Sequence, residues 1–148
     1  MSQPSASRVI DILLVEDDPG DELITREAFA DNKIKNALHV ARDGQEGLDF
    51  LYRRGAYVDA PTPDLILLDL NLPKYDGRQL LETVKSDADL CHIPVVVLTT
   101  SSAEEDILAS YKLHANAYVT KPVDLDQFMK AVREIDEFFV QVVRLPQS

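Results

Sequence analysis

The stretch that decides the fold of this 148-residue chain is Asp64-Leu65-Ile66-Leu67-Leu68-Asp69-Leu70-Asn71-Leu72-Pro73. Its first part is a nearly continuous apolar run, which is typical of a strand buried on both faces of a parallel sheet. The run ends at Asp69, and a carboxylate there is costly unless it is paired, protonated or bound to a metal. Because ligands bind outside the carboxyl ends of the strands in open α/β sheets, we expect Asp69 at the rim of a crevice. Taken alone, an acid that caps a helix or a turn is the commoner explanation.

Four further apolar segments alternate with segments of helical spacing. The predicted strands are residues 9–15, 37–41, 64–69, 94–99 and 117–120, and the predicted helices are about residues 19–31, 43–54, 77–86, 102–114 and from 124 onward. This alternation predicts one α/β domain, an open five-stranded parallel sheet with helices on both faces. Asp18 is expected to cap the first helix, with Leu23, Ile24, Ala28 and Phe29 facing inward.

Composition limits the classes of function. The net charge of −11 argues against partners such as nucleic acid or an anionic membrane, because phosphate contacts need clusters of Lys and Arg. Cys91 is the one cysteine, so no intramolecular disulfide can form and a cytoplasmic location is expected. Residues 1–8 lack the apolar segment of a signal peptide, and no run reaches membrane-spanning length. We expect a flexible tail at residues 1–8 and a single domain over residues 9–148, with no output domain after it.

Polar side chains at the strand ends form a constellation in this architecture. The carboxyl ends of parallel strands share one edge, which would bring together Glu16, Asp17, Asp69, Thr99 and Lys121. Clustered carboxylates repel one another unless a cation lies among them, and oxygen ligands without His or Cys favour Mg²⁺. Such an ion and the Lys121 ammonium together would balance the three acids. Each residue has an ordinary structural explanation singly, but chance is a poor explanation for the whole set.

These residues resemble the receiver domain of two-component response regulators, over about residues 10–139. The matching positions are Glu16-Asp17, Asp69 within Leu68-Asp69-Leu70-Asn71-Leu72-Pro73, Asp76-Gly77, Thr99, Tyr118 and Lys121-Pro122. The resemblance implies a flavodoxin-like (βα)5 receiver fold in which Asp69 accepts a phosphoryl group from a histidine kinase. It also implies that Mg²⁺ is held by Asp17, Asp69 and the main-chain carbonyl of Asn71, with Glu16 assisting.

The resemblance implies roles for the remaining matching residues. Thr99 and Lys121 would bind the phosphoryl oxygens, and Tyr118 would turn inward together with Thr99 as the switch. The peptide bond between Lys121 and Pro122 would be cis, as such bonds can be.

Two departures from most receivers suggest a narrower group. The loop at residues 55–63 is long and the last helix is extended, as in the stand-alone receivers that are paired with phytochrome-type histidine kinases and tend to be dimers. We therefore expect a homodimer built on the last helix, the fifth strand and the apolar tail with Phe138, Phe139, Val140, Val142 and Val143. The alternative is a monomer whose tail folds back over its own sheet.

Two other functions are weighed against a phosphorylated signalling switch. A phosphatase of the haloacid dehalogenase type also uses an aspartyl phosphate and Mg²⁺, but it needs a second acid two residues after the nucleophile. Asn71 stands at that position, and the chain has no substrate-cap segment. An inert receiver-like scaffold would be expected to lack Asp69, Thr99 or Lys121. The sequence therefore favours a switch that catalyses only its own phosphotransfer and dephosphorylation.

Overall fold

A sheet of parallel strands organises the chain. The strands are β1 (Ile10–Val15), β2 (Asn36–Ala41), β3 (Leu65–Asp69), β4 (Val95–Thr99) and β5 (Ala117–Thr120), in the order β2-β1-β3-β4-β5. The computed structural model describes residues 9–30, 36–69, 77–99, 115, 117–121 and 126–127, and for residues 99, 117, 118 and 120 it describes the backbone. The order reverses between β1 and β3, which makes the carboxyl edge beside these two strands the expected ligand crevice. The predicted parallel α/β fold is confirmed.

In the described part of the chain, three α-helices lie between these strands, α1 (Pro19–Phe29), α2 (Gly44–Leu51) and α3 (Gly77–Ser86), and a short 3-10 helix at Gly55–Tyr57 precedes β3. As predicted, Asp18 caps α1, because its Oδ1 accepts a hydrogen bond of 2.8 Å from the backbone N–H of Gly20. Asp43 caps α2 in the same way. The predicted tail at residues 1–8, the helix at residues 102–114 and nearly all of the last helix lie outside the described residues. No helix in the described part of the chain is long and apolar enough to cross a membrane.

Both faces of the central strands are buried, as continuous apolar runs predict. On one face, alternate strand residues pack against α2 and α3 in a cluster that includes Leu13, Val15, Ile66, Leu68, Val97, Leu80 and Leu81. On the other face, the intervening residues are equally enclosed: Ile12, Leu14, Leu65, Leu67, Val96 and Leu98. The sheet is therefore a rigid support for whatever stands at its edges.

The inward face of α1 agrees with the prediction in part, since Phe29 is buried and Ala28 is partly buried. Leu23 and Ile24 were expected to face the core, but they are 56% and 39% exposed. The buried residues of the helix are Glu22, Thr25 and Phe29. Glu22 can be buried because Arg26 and Arg42 both pair with its carboxylate, and hydrogen bonding to these two guanidinium groups lowers its pKa. Apolar spacing alone does not reveal such a partner.

Strand register decides which polar residues meet at the carboxyl edge. Val15 of β1 is paired with Leu68 of β3, so that Glu16 and Asp69 are the next residues at the same level. Thr99 of β4 is paired with Thr120 of β5, so Lys121 follows immediately beyond the edge. The three charged residues therefore arrive at one end of the sheet from three different strands.

We predict that truncating two leucines has very different effects on the free energy of unfolding. Leu14→Ala removes a side chain that is 0% exposed and should cost about 2–5 kcal/mol. Leu23→Ala, its matched control on the exposed face of α1, should change stability by no more than about 0.5 kcal/mol. Urea denaturation measures both values, and equal losses would contradict the assigned faces.

Candidate functional site

Asp69 is the last residue of β3 and is nearly enclosed at the carboxyl edge of the sheet. Its Oδ2 accepts a hydrogen bond of 3.0 Å from Nζ of Lys121. Strand β4 lies between β3 and β5, so the Lys121 side chain reaches across the end of β4 to make this contact. The pair is shielded from solvent, since the Lys121 and Asp69 side chains are only 6% and 7% exposed.

Lys121 contacts three carboxylates in all. Besides its hydrogen bond to Asp69, Nζ donates a 3.0 Å hydrogen bond to Oδ2 of Asp21 and lies 2.7 Å from Oε1 of Glu16. Burial lowers the pKa of Lys121, but the neighbouring carboxylates outweigh it and hold that pKa well above its ordinary value. Lys121 is therefore a fixed positive charge at the edge of the sheet.

Glu16 is completely buried immediately after β1. The pKa of Glu16 is raised to about 7, mainly because the carboxyl group is buried. The Lys121 ammonium lowers this pKa and the Asp69 carboxylate raises it, so the two neighbours act in opposite directions. Its Oε2 accepts a long hydrogen bond of 3.3 Å from the backbone N–H of Asp18. Its Oε1 forms a close ion pair with Lys121 but no hydrogen bond of favourable geometry, so this buried oxygen is incompletely satisfied.

Glu16, Asp17 and Asp69 form an acidic cluster. Each offers a carboxylate oxygen, and these atoms lie within 4.8 Å of one another. A donor set of carboxylate oxygens suits a hard divalent cation, and the incompletely satisfied Oε1 of Glu16 fits a site that takes an additional cation. These three residues could therefore hold a divalent metal ion.

The structure brings four of the sequence-predicted site residues together: Glu16, Asp17, Asp69 and Lys121. The backbones of Thr99 and Tyr118 lie in the neighbouring strands β4 and β5, where Tyr118 is paired with Val97. The other predicted positions lie outside the described residues: Asn71, Pro122, Phe138, Phe139, Val140, Val142 and Val143.

Sequence reasoning missed Asp21. It lies in the first turn of α1, where an acid is already explained by the helix dipole, so no local signal connects it with a distant lysine. Its partner Lys121 is 100 residues further along the chain. The position four residues after Asp17, on the helix that starts beside the edge, is the one feature that could have suggested it.

The geometry agrees with what comparisons with known proteins find. The model of the response regulator receiver domain matches residues 12–133. The chain therefore belongs to the response regulator receiver family, a family of signalling proteins in which phosphorylation on an aspartate is typical.

Several members of this family are similar over nearly the whole chain. Response regulator Rcp1 of Synechocystis is 47% identical over 93% of each chain. The crystal structure of its Mn(2+)-bound form superimposes with a TM-score of 0.74 at 46% identity, covering 93% of this chain and 99% of that one. The structure of the phosphorylated cyanobacterial phytochrome response regulator RcpA superimposes with a TM-score of 0.76 at 46% identity, covering 95% of this chain and 100% of that one. The structure of the bacteriophytochrome response regulator AtBRR superimposes with a TM-score of 0.82 at 43% identity, covering 95% of this chain and 98% of that one.

The shifted pKa of Glu16 predicts how the stability of the metal-free protein depends on pH. Because its folded-state pKa of about 7 is above the ordinary value of 4.5, its stabilising contribution is full below pH 4.5 and is lost as the pH rises through 7. Glu16→Gln removes this titration. The free energy of unfolding of the variant should therefore rise relative to that of wild type by about 1–3 kcal/mol between pH 4.5 and 8.

Urea denaturation with a chelator present measures that difference at each pH. Glu22 and Asp87, whose pKa values are lowered, titrate in both proteins and cancel in the comparison. If wild type instead became more stable relative to Glu16→Gln as the pH rises, the raised pKa of Glu16 would be contradicted.

Proposed function

We propose that this receiver accepts a phosphoryl group from a sensor histidine kinase on Asp69 in a Mg²⁺-dependent reaction, and that phosphorylation changes its partner binding. The observation that carries the proposal is the position of Asp69, with Oδ2 3.0 Å from Nζ of Lys121 and with Glu16 and Asp17 beside it. The chemistry of the chain is then limited to its own phosphorylation and dephosphorylation, and it acts as a signalling switch without a separate substrate.

Lys121 and the acids would divide the work of phosphotransfer. Lys121 holds one oxygen of Asp69 and fixes the orientation of the carboxylate that attacks phosphorus. As the new oxygen–phosphorus bond forms, the bond between phosphorus and the histidine nitrogen of the kinase breaks. Glu16, Asp17, Asp69 and the main-chain carbonyl of Asn71 would hold Mg²⁺, which when bound reduces the repulsion between carboxylate and phosphoryl group.

Thr99 and Tyr118 are the proposed switch. Thr99 ends β4 next to the strand that carries Asp69, so its hydroxyl is a candidate donor to the new phosphoryl oxygens, together with the Lys121 ammonium. Tyr118 belongs to the neighbouring strand β5 and would turn inward when Thr99 moves. The peptide bond between Lys121 and Pro122 is proposed to be cis.

The kinase is proposed to be of the phytochrome type. Support comes from the similar proteins RcpA, whose structure is described as a cyanobacterial phytochrome response regulator, and AtBRR, described as a bacteriophytochrome response regulator. We further propose a cytoplasmic location and no nucleic-acid or membrane partner, since the net charge is −11.

Phosphorylation of Asp69 is tested directly with a small-molecule donor. Incubation with acetyl phosphate and Mg²⁺ should add one hydroxylamine-labile phosphoryl group, detected by mass spectrometry of the intact chain. Asp69→Asn should add none, because its side chain is a poor nucleophile. Persistent labelling of Asp69→Asn would assign the phosphoryl group to another residue.

Three controls separate the metal, the acids and the switch. A chelator, or Asp17→Asn, should nearly abolish labelling, and full labelling without a divalent ion would contradict the metal's role.

Thr99→Ala should still be labelled but should lose the phosphorylation-dependent change in binding to the cognate kinase. A normal change in that variant would place the switch elsewhere.

A homodimer is proposed on the last helix, β5 and the apolar tail. Each large apolar side chain buried between two copies would contribute about 1.5–3 kcal/mol before the costs of association. Sedimentation at tens of micromolar should give a dimer for the full chain and a monomer for the double variant Phe138→Asp with Val142→Asp. Because like charges oppose association, an apolar dimer should tighten with salt. A full chain that is monomeric with and without phosphorylation would refute the interface.

A further inference from the structure

We propose that Asp21 is the counter-ion that Lys121 releases when the site binds a phosphoryl group, and that Asp21 thereby limits the affinity of the resting site for that group. The proposal rests on the proposed function and names a positioning residue for it. Its basis is the pair of 3.0 Å hydrogen bonds that Nζ of Lys121 donates, one to Asp69 and one to Asp21.

Three carboxylates surround the Lys121 ammonium in the resting site. An ammonium group has three N–H donors and no acceptor. Two of them are hydrogen bonded to Asp21 and Asp69, and Oε1 of Glu16 lies 2.7 Å from the same nitrogen. A phosphoryl oxygen that accepts a hydrogen bond from the ammonium therefore competes with these three carboxylates for its donors.

Solvent exposure indicates which carboxylate gives way. The Glu16 side chain is 0% exposed, so releasing it would leave a buried carboxylate without its cation. Asp69 carries the phosphoryl group and stays in place. The Asp21 side chain is 28% exposed, so water can replace its hydrogen bond to Lys121. Asp21 is the partner that is released at least cost.

Asp21 also stands apart from the residues that could hold a metal. The acidic cluster whose oxygens converge consists of Glu16, Asp17 and Asp69. Removing the Asp21 charge should therefore make phosphoryl binding tighter without making divalent-metal binding tighter. The ordinary role of an acid in a first helical turn, support of α1 through the helix dipole, predicts only a loss of stability. Only the competition for Lys121 predicts that removing the Asp21 charge strengthens phosphoryl binding; a purely structural role predicts no gain.

The test compares Asp21→Asn with Glu27→Gln, which removes one negative charge from an exposed residue in the last turn of the same helix. Beryllofluoride, a phosphoryl mimic, is titrated into each full-length protein at saturating Mg²⁺ and followed by amide NMR shifts. Asp21→Asn should bind it about two- to fivefold more tightly than wild type, the effect expected from a part-exposed competing ion pair. Its half-saturating acetyl phosphate concentration should fall by a similar factor. Mn²⁺ binding without beryllofluoride should be equal or weaker.

Each outcome of the test has a defined meaning. Unchanged or weaker beryllofluoride binding by Asp21→Asn overturns the proposal, and so does an equal gain in Glu27→Gln, which would reflect net charge alone. Asp21→Ala repeats the measurement with a good helix former, so that a folding defect of one variant does not decide the result. A wild type that neither binds beryllofluoride nor is labelled by acetyl phosphate refutes the proposed function itself, whereas normal wild-type binding with no gain in either Asp21 variant refutes only the role of Asp21.

Discussion

The Lys121 ammonium is the interaction on which the carboxyl edge of the sheet depends. It joins Glu16 beyond β1, Asp21 in α1 and Asp69 at the end of β3. A buried charge is tolerated only when it is paired, and removing one partner of a buried pair is strongly destabilising. Because the Lys121 side chain is only 6% exposed, the folded state is stable only if the ammonium and its carboxylate partners are buried as a set. The site therefore constrains where three separate parts of the chain can lie.

This constraint acts through strand register. A shift of β5 by one residue along β4 would break the pairing of Thr99 with Thr120 and would move Lys121 away from Asp69. It would also exchange the two faces of the strand, because side chains alternate along it. The apolar residues that fill both faces of β1, β3 and β4 therefore fix the site as firmly as the charges do. In β3 and β4, whose two faces are covered, the charged or hydroxyl-bearing residues stand at the strand ends, at Asp69 and Thr99.

The sequence is sufficient to predict those parts of the molecule that depend on simple periodicity. Continuous apolar runs predict the buried strands, and the polar residue that ends each run marks the carboxyl edge, which is how Glu16, Asp69 and Lys121 can be found. The inward face of α1 could not be predicted this way, because Glu22 is buried only through its pairing with Arg42, a tertiary contact. Asp21 was missed for the same reason, since its partner lies 100 residues away and only its position four residues after Asp17 hints at the contact.

The arrangement of charge also explains why Asp69, rather than its acidic neighbours, is the proposed acceptor. Glu16 is completely enclosed, so an incoming phosphoryl group has no access to it, and its raised pKa makes it a partly protonated nucleophile near neutral pH. Asp17 is exposed and can be solvated by water, which weakens a carboxylate as a nucleophile. Asp69 lies between these extremes: it stands at the rim, with a side chain that is 7% exposed, and Lys121 orients it. A fixed orientation of the attacking oxygen, here through the hydrogen bond from Lys121, favours in-line attack on phosphorus.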